Sequence, residues 1–162
     1  MLFFKKLLTF GELYDRITDD IIQYYEMSII QQKGEFIMTF VEKYGKILLP
    51  LITPYKENEE VDYDQYAKLI EYLIENDLCD SLIVTGTTGE ASLLTFDERV
   101  KLLETAIKAS AGRKPVIAGT GCASTKETIA LTKKAEELGI ELCLIVCPFY
   151  NKPTQEGLYL HY

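Results

Sequence analysis

The fold is decided by residues 81–90, which read Ser-Leu-Ile-Val-Thr-Gly-Thr-Thr-Gly-Glu. The apolar run Ser81–Val84 leads directly into a turn in which Gly86 and Gly89 bracket two threonines. A short buried strand that ends in such a turn, and is followed by a helix, is typical of a βα unit. The stretch therefore predicts a parallel sheet with candidate ligand-binding residues at the carboxyl end of a strand.

Three further apolar runs repeat this pattern along the chain: Ile47–Ile52, Pro115–Ala118 and Leu142–Val146. The four runs start 34, 34 and 27 residues apart, which is close to the length of a βαβ unit. An amphipathic stretch follows each run, and each begins with a good N-cap: Asp62, Thr95, Ser124 and Thr154. The pattern predicts an α/β fold with about four βα units.

Composition excludes several classes of function. The 162 residues are 48% hydrophobic and 26% charged, and the net charge of -8 opposes binding to nucleic acid. The longest apolar runs are far shorter than the roughly 20 residues that a membrane span needs. No secretory signal is evident, so we expect a cytoplasmic protein. We expect neither a metal nor a cofactor, because the cysteines lack metal-ligand spacing: Cys79, Cys122, Cys143 and Cys147.

Residues 1–37 do not follow the βα rhythm, and we treat them as a leader before a domain at residues 38–162. Two interpretations are open. The leader is an amphipathic helix that docks on the domain, or it arises from an upstream start site. The second interpretation rests on Lys33-Gly34-Glu35, whose codons readily form a purine-rich ribosome-binding sequence shortly before Met38.

Two loops carry candidate chemistry. The turn Gly86–Glu90 presents two hydroxyl side chains, Thr87 and Thr88, but a ligand-free turn between strand and helix has the same pattern. The loop after the fourth run places Tyr150 between two prolines, which suits a proton relay, although a loop tyrosine often only packs. Neither loop alone assigns a function.

Taken together, these motifs resemble the dihydrodipicolinate synthase family. The resemblance covers about residues 45–162 and rests on the order and spacing of four segments: 86–90, 115–121, 148–153 and 156–159. The wider superfamily includes N-acetylneuraminate lyase and other pyruvate aldolases. Thr87 and the Asn151-Lys152-Pro153 continuation favour the synthase over the lyase.

The resemblance implies a (β/α)8 TIM barrel, which takes about 250 residues, so only the first four units fit in this chain. It implies the condensation of pyruvate with aspartate semialdehyde for diaminopimelate and lysine biosynthesis, in a homotetramer built as a dimer of dimers. By motif match, Thr87 and Thr88 hold the pyruvate carboxylate, and Thr87 also relays protons. Tyr150 matches a relay tyrosine that reaches into the site of a neighbouring subunit.

The family's Schiff-base lysine and second relay tyrosine match no residue of this chain. Lys152 is the one lysine that we place on the ligand side, while the others that we weighed precede strands or lie on polar helix faces: Lys46, Lys114, Lys68, Lys101, Lys108, Lys126, Lys133 and Lys134. We therefore expect an N-terminal half that is inactive alone and that self-associates or pairs with a separately made C-terminal half. Two alternatives are a fragment of another pyruvate aldolase and a non-catalytic half-barrel interaction module.

Overall fold

The computed structural model describes residues 40–162, so the predicted leader lies outside the described residues. The described part contains one parallel sheet of four strands in the order β1-β2-β3-β4. Strands and helices alternate as follows: α1 Phe40–Tyr44, β1 Leu48–Pro50, α2 Tyr63–Glu75, β2 Ser81–Val84, α3 Phe96–Ser110, β3 Val116–Gly119, α4 Thr125–Glu137, β4 Cys143–Leu144 and α5 Gln155–His161. The predicted α/β half-barrel with about four βα units is confirmed.

The local signals at the helix starts are confirmed. Thr95 and Glu98 form a reciprocal capping box at the start of α3, with the Glu98 carboxylate 2.8 Å from the Thr95 nitrogen. The other three predicted N-caps each accept a hydrogen bond from the backbone three residues on: Asp62, Ser124 and Thr154. Each of these contacts satisfies an amide that has no partner inside its helix.

The two outer strands are shorter than predicted. The run Ile47–Ile52 yields the strand Leu48–Pro50, and Leu142–Val146 yields only Cys143–Leu144. The central strand β2, by contrast, has the predicted bounds. Within the described residues, β1 and β4 each pair with one neighbour, so fewer ladder hydrogen bonds fix their ends.

The hydrophobic core lies between the sheet and helices α2, α3 and α4. Leu82, Val84 and Ala118 point from the strands towards this layer and are fully buried. The buried face of α3 consists of Arg99, Leu102, Leu103, Ala106 and Ser110. Among the described residues, no helix is long and apolar enough to cross a membrane.

Asp80 fixes the entry of the chain into β1. Its carboxylate accepts hydrogen bonds of 2.7 Å from the backbone amides of Lys46 and Ile47. Gly45 makes this approach possible, since it adopts a positive φ of 77° and a Cβ there would overlap the Asp80 side chain. The two amides hold the pKa of the Asp80 carboxyl below its ordinary value.

We predict that Asp80→Asn lowers the melting temperature at pH 7. Because the folded-state pKa is depressed, the carboxylate stabilises the fold above its unfolded-state pKa, and this stabilisation is lost as the pH falls through the folded value. The difference between wild type and variant should therefore narrow below about pH 4. Thermal unfolding between pH 7 and pH 3 checks this, with the exposed Asp64→Asn as control. A difference that stays constant with pH contradicts the prediction.

The sheet face opposite the helices carries exposed apolar residues near its edges. Leu144 in β4 is 47% exposed, and Ile52 and Val146, just past β1 and β4, are 56% and 44% exposed. Unpaired parallel edges beside apolar side chains favour association with another strand. Two such edges, one at each side of the sheet, are available in the described part of the chain.

We predict concentration-dependent self-association of the chain, measured by sedimentation velocity at about 0.15 M salt. Leu144→Lys should weaken it, because a charge beside the β4 edge opposes strand pairing. Its effect on thermal stability should be small, since the side chain is half exposed. Leu78→Lys is the matched control, because Leu78 is 46% exposed and precedes β2 at the opposite end of the sheet. A monodisperse monomer at all concentrations contradicts the prediction.

Candidate functional site

The turn after β2 presents Thr87 and Thr88. It forms a single 3-10 turn, Thr87–Gly89, with Gly86 as its N-cap. Both threonine side chains are exposed, while the two glycines that flank them are buried. In the described part of the chain neither threonine hydroxyl has a hydrogen-bond partner, which leaves two donors free for a ligand.

This turn rests on the end of β1. The Thr53 hydroxyl, which is 6% exposed, donates a hydrogen bond of 2.7 Å to the Gly89 carbonyl. A Cβ on Gly89 would lie 2.9 Å from the Leu51 carbonyl oxygen. The absence of a side chain at this glycine therefore allows the turn to lie against the end of β1.

Thr85 joins the turn to the end of β3. Its backbone adopts a positive φ of 56°, which is uncommon for a β-branched residue. Its buried hydroxyl lies 2.8 Å from the Gly119 carbonyl oxygen and 2.7 Å from the Val84 carbonyl oxygen. A Cβ on Gly119 would overlap the Thr85 carbonyl and approach the Gly86 nitrogen to 2.9 Å. The end of β3 thus tolerates only glycine at this point.

Arg99 enters the same region from α3. Only 5% of Arg99 is exposed. Its Nη2 donates to the carbonyl oxygens of Gly119 at 2.8 Å and Gly121 at 3.3 Å. Its Nη1 lies 2.9 Å from the Cys122 sulfur. The guanidinium therefore binds the whole turn that follows β3.

Tyr150 projects from the loop after β4. Its side chain is 94% exposed, and its backbone φ is 73°. Lys152 also has a positive φ, and the Asn151 amide donates to the Phe149 carbonyl. Thr87 and Tyr150 follow β2 and β4, which β3 separates, and the structure gives no hydrogen bond between them. Their predicted cooperation in one subunit or across two stays a prediction.

Tyr162 contacts the segment between β4 and this loop. The Tyr162 hydroxyl donates to the Ile145 carbonyl at 3.2 Å and lies 3.3 Å from the Cys147 sulfur. Local desolvation of the hydroxyl, with a further contribution from the Cys147 thiol, raises the pKa of Tyr162 to about 12, although 62% of the residue is exposed. Tyr162 is therefore a neutral hydrogen-bond donor at pH 7, and it connects the end of α5 to the chain beyond β4.

Two lysines follow strand ends in the described residues. Lys152 is exposed in the loop after β4, as predicted. The prediction overlooked Lys56, which lies in the β1–α2 connection and pairs with Glu60 at 3.6 Å. Lys114, which precedes β3, pairs with Asp77 at 2.6 Å. None of these amines is buried as a Schiff-base lysine needs to be.

Sequence reasoning missed the three residues that hold the turns in place: Thr53, Thr85 and Arg99. The first two are hydroxyl residues just after strand runs, and that position was the available signal for Thr53 and Thr85. For Arg99 the available signal was its spacing, three and four residues before the buried Leu102 and Leu103, but the charge of an arginine favours the solvent face.

Comparison with known proteins places this geometry in a family. The model of the dihydrodipicolinate synthetase family matches residues 43–162. The chain is 47% identical over 119 residues to 4-hydroxy-tetrahydrodipicolinate synthase of Bacillus subtilis, covering 74% of this chain and 41% of that protein. It is 50% identical over 115 residues to the Aquifex aeolicus enzyme of the same name, covering 71% and 38%.

Solved structures agree with the sequence matches. Dihydrodipicolinate synthase from Aquifex aeolicus superposes with a TM-score of 0.67 at 50% identity, covering 71% of this chain and 39% of that one. N-acetylneuraminate lyase from Mycoplasma synoviae gives a TM-score of 0.70 at 27% identity, covering 76% and 42%. The chain spans about 40% of the length of the curated relatives that it matches. By its match over residues 43–162 and its shared sheet, this chain belongs to the dihydrodipicolinate synthetase family.

Proposed function

We propose that this chain provides the carboxylate-binding half of a dihydrodipicolinate synthase. The complete enzyme of this type condenses pyruvate, held as a lysine Schiff base, with L-aspartate semialdehyde on the route to diaminopimelate and lysine. Relatives that are 47% and 50% identical carry the name 4-hydroxy-tetrahydrodipicolinate synthase, which supports this chemistry. The proposal places the reaction in the cytoplasm.

The observation that carries the proposal is the pair of free hydroxyls in the turn Thr87–Gly89. Thr87 and Thr88 are exposed, while their flanking glycines are buried against β1 and β3. Hydroxyls held on a fixed backbone suit a small carboxylate, because a hydrogen bond to a charged acceptor is stronger than one between neutral groups. In this proposal both hydroxyls hold the pyruvate carboxylate, and Thr87 also passes protons.

Tyr150 has the second catalytic role in the proposal. Its nearly complete exposure supports an action outside its own subunit, because a relay hydroxyl needs hydrogen-bond reach to its partner and none lies nearby in the described residues. The proposal therefore includes a tight dimer, and a tetramer made of two such dimers.

The nucleophile is the element that the proposal does not assign to this chain. In the described part, the lysines that follow strand ends, Lys56 and Lys152, are exposed, and an exposed amine lacks the desolvation that activates a Schiff-base lysine. We therefore propose that the chain alone does not catalyse the condensation. Binding of the carboxylate without the amine does not lower the barrier to carbon-carbon bond formation.

A second candidate is another pyruvate aldolase such as N-acetylneuraminate lyase. The structural similarity to that enzyme supports a common fold, but its identity of 27% is far below the 47% and 50% of the synthases. The third candidate, a non-catalytic interaction module, draws on the two open sheet edges. The free hydroxyl pair favours the synthase over the module, since a module has no need of it.

We predict that pyruvate shifts the amide signals of Thr87, Thr88 and Gly89 in NMR spectra of the chain. The double variant Thr87→Val, Thr88→Val should weaken binding at least about tenfold, because each hydrogen bond to a charged group contributes roughly 1.5–3 kcal/mol. Thr105→Val is the matched control, since its hydroxyl donates to the Lys101 carbonyl within α3, away from the turn.

The same titration discriminates between the candidates. Pyruvate shifts that are equal in wild type and double variant contradict the assignment of the two threonines. The absence of amide shifts at every pyruvate concentration contradicts the carboxylate site and favours an interaction module.

We predict that incubation with pyruvate and borohydride leaves every lysine unmodified, as measured by mass spectrometry. Reduction traps a Schiff base only where an amine has attacked the keto carbon, and the lysines that follow strand ends lack the burial that activates such an amine. An adduct on Lys152 that disappears in Lys152→Ala would overturn the prediction. Lys56→Ala tests the other loop lysine in the same way.

A further inference from the structure

Arg99 is a buried cation that has no anionic partner in the described part of the chain. The ion pairs of the described residues involve other side chains, and Arg99 takes part in none of them. Burial of an unpaired guanidinium is strongly unfavourable unless hydrogen bonds compensate for lost water. The buried Nε atom of Arg99 has no hydrogen-bond acceptor among residues 40–162. A side chain that only fills space would avoid this cost, as the neighbouring Leu102 and Leu103 do.

Within the described residues, this compensation comes from the turn after β3. Two carbonyl oxygens and one sulfur, those of Gly119, Gly121 and Cys122, lie within 2.8–3.3 Å of the two terminal nitrogens. Only a planar group with several donors reaches all three acceptors at once, and an ammonium group on a lysine stem does not. The contact therefore depends on the shape of arginine as well as on its charge.

That turn is also the point at which two neighbouring loops meet. The Gly119 carbonyl accepts from the Thr85 hydroxyl in addition to Arg99. Thr85 directly precedes Gly86, the N-cap of the turn that carries Thr87. On the other side, a Cβ on Gly121 would lie 2.5 Å from the Val146 nitrogen, so the turn also packs against the chain beyond β4. A displacement of this turn would therefore shift both the turn after β2 and the chain beyond β4.

We propose that Arg99 is a positioning residue that fixes the Gly119–Cys122 turn and, through Thr85, the two hydroxyls of Thr87 and Thr88. The part concerning the hydroxyls rests on the proposed function, whereas the part concerning the loops does not. Arg99 does not touch the substrate in this proposal. It acts by holding the backbone of the turn in one arrangement, and the carboxylate-binding side chains project from that backbone.

The test compares Arg99→Lys and Arg99→Met with wild type by amide hydrogen exchange. The reporting amides are Glu90, which donates to Thr87, and Thr120, which donates to Leu144. The reference amide is Leu82 in β2, which donates to Pro115 and reports on the stability of the core. We expect exchange at Glu90 and Thr120 to accelerate about tenfold relative to Leu82 in both variants, as for one lost charged hydrogen bond.

Arg113→Lys is the matched control. Arg113 also makes several hydrogen bonds, to Glu71 and to the carbonyls of Ala109 and Ser110, but it is exposed beyond the end of α3. The control should leave the exchange ratio unchanged. If Arg99→Met does not fold, Arg99→Lys alone decides, since it keeps the charge and most of the volume.

Pyruvate titration of the same variants separates the two proposals. We expect binding at least about tenfold weaker in Arg99→Lys than in wild type or Arg113→Lys. Equal acceleration at Glu90, Thr120 and Leu82 overturns the inference, because it shows a general loss of stability. If Arg99→Lys binds pyruvate as tightly as wild type does, the inference about Arg99 is overturned and the proposed function stays intact. A third outcome is faster loop exchange in the Arg99 variants together with no pyruvate binding by wild type. It supports the role of Arg99 in the loops and refutes the proposed function.

Discussion

The carbonyl oxygen of Gly119 is the point on which the carboxyl edge of the sheet depends. It accepts hydrogen bonds from the Thr85 hydroxyl and the Arg99 guanidinium, which arrive from β2 and from α3. Both donors are buried, so neither can exchange this partner for water without exposing a polar group or opening the core. Gly119 has no Cβ to block the close approach of Thr85. The relative positions of β2, β3 and α3 at this edge are therefore coupled through one atom.

The neighbouring contacts extend this coupling along the edge. Thr53 bonds to Gly89 at the end of β1, and Gly121 packs against Val146 beyond β4. Each contact joins the loop after one strand to the loop after the next, and glycine provides the space at every junction. The exposed hydroxyls of Thr87 and Thr88 thus stand on a backbone that three strands hold in place. Such support reduces the ordering that a ligand has to impose when it binds.

The range of each interaction along the chain explains what the sequence could predict. The four N-caps were identified because each bonds to an amide three residues away, and the bounds of β2 followed from an apolar run that ends at the turn with Gly86. The contacts of Thr53, Thr85 and Arg99 span 36, 34 and 20 residues, and residue patterns contain no information on such distances. Arg99 lies three and four residues before Leu102 and Leu103, so its spacing matches the buried face of α3. Its charge favours the solvent face, and its burial was therefore not predicted. The ends of β1 and β4 were overestimated because apolar residues continue beyond the last ladder pair.

The same contacts explain why the proposed carboxylate binding can be separated from the proposed covalent catalysis. The turn Thr87–Gly89 depends on contacts with β1, β2, β3 and α3, and all of these elements lie within the described residues. It can therefore hold its shape without further strands. Tyr150, by contrast, extends from a loop with no partner for its hydroxyl among the described residues, and the lysines at strand ends are exposed. An amine acquires nucleophilic character at neutral pH only where burial or a nearby charge disfavours its protonated form. The exposed sheet face of the described residues supplies no such burial, so the proposed covalent chemistry needs further structure around the amine, whereas the proposed carboxylate binding needs only the fixed edge.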